Sequence, residues 1–311
     1  MRYKHALALL VTFVMPCLVI AQDSPLSQWY NNAISNNPAE VGSSGKVRAH
    51  LFYRNQWAKA EAGFSFYGAE VDMPVSKNMA CGLLLTNDRS AAFSKPTATG
   101  AYSYTIKLNQ KTAVRGGISL GLIQKSVSTS DLIFEQDEPA ITKSSKISLD
   151  AGIGINLTSA NLTASASINH LTKPQQGISS ESNARMAMKL TFDIAYTYKI
   201  KPLTWKNAIE ITPNVIFQQH GTQQNLQIGV INHVKGLLTG LSCRKNLQSD
   251  PPTVICLIGY KTQNFRIAYS YDAETNGKTN RYGNAHEISL TKLFETEKKK
   301  KHKQIECPSF F

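Results

Sequence analysis

Between residues 46 and 294 apolar and polar side chains alternate with a period of two, in stretches of about ten residues separated by turn formers. The stretch 101–108 shows it best: Tyr102, Tyr104, Ile106 and Leu108 share one face, and Ser103, Thr105 and Lys107 share the other. The dyad returns at 151–157, 192–198 and 288–290. Helical periodicity long enough to cover a sheet is almost absent, which disfavours α/β architectures. Such segments centre near Phe52, Ser65, Leu84, Tyr104, Ser119, Gly152, Ala166, Phe192, Ile211, Gly229, Gly240, Ile255, Ile267 and Ser289, and Asn87-Asp88-Arg89, Asn109-Gln110, 246–252 and 274–283 read as turns between them.

A soluble β-sandwich also alternates, but some fourteen strands would make a very large one, whereas closing the sheet removes every edge. The expectation is therefore all-β: a transmembrane outer-membrane β-barrel of about 14 antiparallel strands. Tyr53, Trp57, Tyr67, Tyr198, Trp205, Tyr260, Tyr269 and Tyr271 stand near segment ends, as interfacial aromatic girdles do. Gly116, Gly117, Gly121, Gly152 and Gly154 lie inside strands, where a glycine marks close approach of another group. Asp72, Glu210, Asp193 and Arg115 would be costly facing lipid, so they belong in the lumen or near an interface.

With 311 residues, 42% hydrophobic and 18% charged, the chain is that of a folded protein. Beyond the N-terminus it has no apolar run of about 18 residues, which excludes a helical membrane bundle and leaves a barrel untouched. A formal charge of +13 points to anionic neighbours, either nucleic acid or lipid headgroups. Arg2 and Lys4 precede an apolar run at 6–20, and Val19 and Ala21 sit where signal peptidase wants small residues. Residues 1–21 thus read as a signal peptide, which makes nucleic acid an unlikely partner and outer-membrane lipid or lipopolysaccharide the anionic neighbour. Cys17 raises a lipoprotein alternative, against which stand Pro16 and the bulky Leu18-Val19-Ile20. Four expected regions follow: signal peptide 1–21, a periplasmic or lumenal plug-like segment 22–45, the barrel 46–294, and a periplasmic lysine-rich tail 295–311.

No catalytic constellation emerges. The glycine-flanked Ser119 sits mid-strand rather than on a strand-to-helix elbow. His50, His170, His220, His233 and His286 have no paired spacing, and the cysteines form no CxxC motif, so neither metal nor cofactor is expected. A disulfide between Cys243 and Cys256 stays open, the alternative being small apolar strand residues.

Gln22-Asp23, Ser27-Gln28-Trp29-Tyr30, Asn37-Pro38-Ala39 and Gly42-Ser43, followed by Tyr53-Arg54-Asn55-Gln56-Trp57, resemble the opening of the PorP/SprF family of type IX secretion system outer-membrane proteins of Bacteroidota. Asn87-Asp88-Arg89 is similar to the family's Asp-bearing turn, Asp131-Leu132-Ile133-Phe134 with Asp137 to its Leu-x-Phe element, and Cys307-Pro308-x-Phe310 to its terminus. Trp29 stands where tyrosine is more usual, and Glu40 where an aromatic or apolar residue is commoner. The resemblance implies a FadL-like barrel in the outer membrane, no enzyme activity, and a part in protein secretion and gliding motility. It implies as partners a secreted adhesin with a type IX C-terminal signal, translocon components and a periplasmic OmpA-like peptidoglycan-binding protein. Trp29, Asn37, Pro38, Tyr53, Arg54, Asn55, Gln56, Trp57, Cys307, Pro308 and Phe310 are the candidate partner-binding or structural residues. A FadL-like solute channel is the alternative reading.

Overall fold

The computed structural model describes residues 23, 25–57, 59, 63–127, 145–177, 184–200, 209–248, 251–275 and 283–295. Among the described residues fifteen strands run in chain order: β1 (Val47–Gln56), β2 (Phe64–Pro74), β3 (Met79–Ser90), β4 (Phe93–Lys107), β5 (Thr112–Val127), β6 (Ser145–Ser159), β7 (Leu162–Asn169), β8 (Lys189–Tyr196), β9 (Tyr198–Ile200), β10 (Ile209–His220), β11 (Gln223–Val234), β12 (Leu237–Asn246), β13 (Thr253–Lys261), β14 (Phe265–Glu274) and β15 (Ala285–Phe294). Sequential neighbours pair antiparallel. Strands β8 and β9 both pair with β10 and make one stave, interrupted at the fully buried Thr197. The last strand pairs with the first, with Leu51 opposite Leu290 and Arg54 opposite Glu287. The sheet is thus closed, with fourteen staves, and every expected segment centre lies inside a strand.

Side-chain parity distinguishes this barrel from a soluble one. On β5, Ile118, Leu120 and Leu122 point outward and are more than half exposed, while Arg115, Gly117, Ser119 and Ile123 point inward and are buried. The same inversion holds on β1, where Leu51 and Tyr53 face out and Arg48, His50, Phe52 and Arg54 face in. An apolar belt outside and a polar packed interior suit a chain whose solvent is lipid. Asp72, Asp193, Arg115 and Glu210 all lie on inward-facing positions. Outward aromatics collect near both rims. Tyr53 stacks on Tyr67, with ring centres 6.5 Å apart, and Tyr269 and Tyr271 flank His286 near one rim; Tyr196 and Tyr198 (4.5 Å) and Tyr260 lie near the other. Trp205 lies outside the described residues.

Two expectations are corrected. Asn87-Asp88-Arg89 is not a turn: it is part of β3, and the chain reverses at Ala91-Ala92. Its side chains bond across the sheet instead of to their own backbone, Asn87 taking the Tyr67 and Ser94 hydroxyls as partners and Asp88 facing Lys95. Gly116 is not a site of close approach: it faces outward, and a Cβ there would meet nothing within 4 Å. The alternation at 192–198 holds, with Thr197 inward like Asp193 and Ala195 and sharing a hydrogen bond with Thr212 (3.1 Å). Cys81, Cys243 and Cys256 are free thiols; the last two project from the outer face, offset by two residues across the β12–β13 pairing.

Connections differ between the rims. At one they are 75–78, 108–111, 160–161, 201–208, 235–236 and 262–264; at the other 57–63, 91–92, 128–144, 170–188, 221–222, 247–252 and 275–284. One is a short-turn rim, the other a long-loop rim.

Candidate functional site in the barrel lumen

The residues before β1 run down the inside of the barrel. Rich in Asn, Ser, Gly and Pro, they form only brief helical turns: a 3-10 turn Trp29–Asn31, the helix α1 (Ala33–Asn36) and a second 3-10 turn Pro38–Glu40. Asn37 caps the last turn by accepting from the Ala39 N–H at 2.9 Å, and Pro38 occupies its first position, where a missing N–H costs nothing. The Asn37 amide also donates to the carbonyls of Ile155 (3.0 Å) and Ala166 (3.3 Å) on β6 and β7. This approach is possible because the wall beneath is glycine: a Cβ on Gly117 would collide with the backbone of Pro38 and Ala39, and one on Gly154 with the Asn37 amide.

Buried charge holds the segment halfway down. Ser27 N–H and Gln28 N–H donate to the two carboxylate oxygens of Glu287 at 2.8 and 3.0 Å, and the Ser27 hydroxyl donates to Asp272 at 2.6 Å. Arg54 bridges the same pair, to Asp272 at 2.9 Å and Glu287 at 3.2 Å, and Arg244 reaches Asp272 at 2.5 Å. Lower down, Arg48 pairs with Glu70 and Asp72 and donates to the Asn31 carbonyl at 2.7 Å; the Ile34 N–H meets Glu70 and the Gly42 N–H meets Asp72. Ser103 and Ser167 donate to the carbonyls of Val41 and Asn36, each at 2.7 Å. Apolar contact fills the gaps, with Trp29 and Tyr30 against Ile216, Ile231 and Leu257, and Ile34 and Val41 against Phe52, Ala80 and Leu84. Fully desolvated charges need partners of this kind.

At the long-loop rim the segment is held by its carboxylate. Asp23 meets Lys95 at 3.1 Å, His170 Nε2 at 2.9 Å and Lys189 at 3.8 Å, and His170 Nδ1 meets Asp150 at 2.7 Å. Burial pushes Asp23 upward, but Lys95 and then His170 outweigh it and hold the carboxyl well below its ordinary range. Burial pushes His170 down, and Asp23 with Asp150 more than reverses this, lifting it to about 9. Both ring nitrogens then donate, one to each carboxylate.

The residues singled out from sequence divide into three groups. Trp29, Asn37, Pro38 and Arg54 all lie buried in the lumen, at different levels, and Gln56 touches Arg54 there at 3.4 Å. Tyr53 and Asn55 point away from it. Trp57, with φ of 59°, closes the strand end by donating its N–H to the Asn284 carbonyl, and its ring packs edge-on to Phe64 at 5.0 Å. Cys307, Pro308 and Phe310 lie outside the described residues, as do residues 1–22, the Asp131–Asp137 element and the lysine run at 298–303. Sequence reasoning missed Asp23, Lys95, Lys189, Glu70, Asp272 and Glu287. For all but Asp23, which precedes the strands, the available signal was a charge at an inward parity position. Among the described residues no group of His, Cys, Asp and Glu is arranged to hold a metal.

The family model for type IX secretion system membrane protein PorP/SprF matches residues 19–291. No curated protein matches the sequence. Among solved structures, the P. putida toluene transporter TodX is 11% identical with a TM-score of 0.48, over 84% of this chain and 93% of that one. A Pseudomonas aeruginosa FadL homologue is 12% identical with a TM-score of 0.46, over 85% and 94%. CdiB from Acinetobacter baumannii, 10% identical with a TM-score of 0.37, is matched over 80% of this chain, which spans only 60% of its length. This barrel of the bacterial outer membrane belongs to the PorP/SprF family of type IX secretion system membrane proteins.

Proposed function

We propose that this chain is a non-catalytic accessory barrel of the type IX secretion system, supporting export or surface attachment of secreted adhesins in gliding or related Bacteroidota. Family membership supplies the system. The observation that carries the accessory role is that residues 25–45 occupy the lumen and are bonded to its wall at three levels, by Glu287 and Asp272, by Glu70 and Asp72, and by Asn36 and Asn37 to β6 to β8. A fourteen-stave barrel is in any case too narrow for a folded protein. The short-turn rim is taken as periplasmic and the long-loop rim as external, as in bacterial barrels generally. Both strand termini then face the periplasm, where the 295–311 tail meets an OmpA-like, peptidoglycan-binding component, and the external loops contact the cargo's C-terminal signal. Residues 1–21 act as the signal peptide and 22–45 as the plug.

Affinity capture of the tagged protein from gently solubilised outer membranes, with mass spectrometry, tests this. Recovery of a large secreted adhesin, translocon components or an OmpA-like protein is expected. Unchanged adhesin display after deletion of the gene would overturn the role, and a lone barrel that conducts a solute would point to a channel.

A further inference from the structure

The geometry points to a carboxylate-binding site at the external mouth of the lumen, which Asp23 occupies in cis and from which an external carboxylate displaces it. The site belongs to the wall. Lys95 on β4, His170 just after β7 and Lys189 on β8 converge on one carboxylate from three separate stretches. Two wall carboxylates orient two of them, Asp88 lying 3.7 Å from Lys95 and Asp150 2.7 Å from His170. Three cations against two carboxylates leave the wall one positive charge in surplus, and Asp23 neutralises it. Donors already fixed by their neighbours pay little to accept any carboxylate of the right approach.

Asp23 is the replaceable member. Its side chain is 26% exposed, against 17% for Lys95, 10% for His170 and 11% for Lys189, so the wall groups lie deeper than the carboxylate covering them. The only other bond at Asp23 among the described contacts is its N–H to His220 Nδ1, at 3.4 Å. The next grips on the chain are Leu26, packed against the lumenal apolar cluster, and Ser27, so Asp23 can lift away without disturbing the bonds to Glu287 and Asp272. Beside the cluster is a cavity of about 110 Å³. Lys95, His170 and Lys189 line it at one side, and Leu26, Phe66 and Leu84 supply an apolar floor. That pairing selects an acid carrying a short apolar group, either a free small molecule or the C-terminus of a peptide. The site stands whether or not the secretion role does.

Calorimetric titration of the full-length barrel in detergent tests it, using N-acetyl-leucine, N-acetylleucinamide, and a Gly-Gly-Leu peptide with a free or an amidated end. Asp23→Asn and Asp23→Ser both remove the internal competitor, and their folding is checked by heat-modifiable gel mobility. Because the competitor holds most wild-type molecules closed, these variants should bind the acids about tenfold or more tighter than wild type. Lys95→Ala should abolish binding, and the amides should not bind. In the wild type, the acid should raise hydrogen exchange at Asp23, whose N–H loses His220, and leave Ser27 and Gln28, whose N–H groups Glu287 holds, protected. Binding of the peptide alone would identify a chain terminus as the ligand; binding of N-acetyl-leucine as well, a free acid. Equal affinity of acid and amide, no gain in either Asp23 variant, or no change in exchange at the outer end would each overturn the proposal.

Discussion

Arg54 shows how much one residue carries in a polar lumen. It is 2% exposed and bridges Asp272 and Glu287; Asp272 keeps Arg244 if Arg54 is lost, whereas Glu287 loses its charged partner. Arg54→Ala should therefore destabilise the barrel by about 3–5 kcal/mol, the cost of stranding a buried charge. The temperature at which the folded band is lost in a gel-shift series measures it. At the rim, Asp23 and His170 titrate in opposite senses while Lys95, Lys189, Asp88, Asp150 and His220 face them. His170 is raised from 6.5 to about 9, so its contribution is full below 6.5 and lost as pH climbs through 9; Asp23 is lowered, so its contribution is present above its ordinary 3.8 and lost as pH falls through the depressed value. The outer end should stay anchored across the range between and loosen above pH 9, a step that His170→Gln should remove from a pH series of melting temperatures. Arg54 was legible in the sequence through its motif. Lys95 and His170 were not, since their partner Asp23 lies 72 and 147 residues before them and no local pattern encodes a register across several strands.

At the scale of elements, the period of two revealed the staves because one face meets lipid and the other the packed lumen, so neither parity can slip. Turns were harder to read. Asn87-Asp88-Arg89 has turn composition, yet cross-strand partners at Tyr67, Ser94 and Lys95 draw those side chains into β3. Gly117, Gly121, Gly152 and Gly154 were legible as sites of close approach, Gly116 wrongly so, and what approaches was not legible at all. Gly117→Val should displace Pro38 and Ala39, because even a Cβ collides with their backbone. In planar bilayers this variant should conduct more than the wild type, while its gel mobility stays that of a folded barrel.

At the scale of the whole molecule, the inverted core predicts which face tolerates charge. Leu120 is mid-strand, outward and 69% exposed, so Leu120→Arg should cost about 2–4 kcal/mol in the bilayer and lower the yield of folded protein recovered from outer membranes. Gln124→Arg, on the same face but near the rim, should cost about 0–1 kcal/mol. Barrel closure has a further consequence, for the order of assembly. The first lumen residues made, Ser27 and Gln28, bind Glu287 on the last strand made, some 260 positions later, and Glu287 sits opposite Arg54 in the seam between β15 and β1. A segment bonded to the wall at several depths cannot be threaded afterwards through a finished cylinder. It must travel with β1 while the sheet is still an open ribbon, and so serves as the mandrel around which thirteen further staves are wound and against which the final one is gauged.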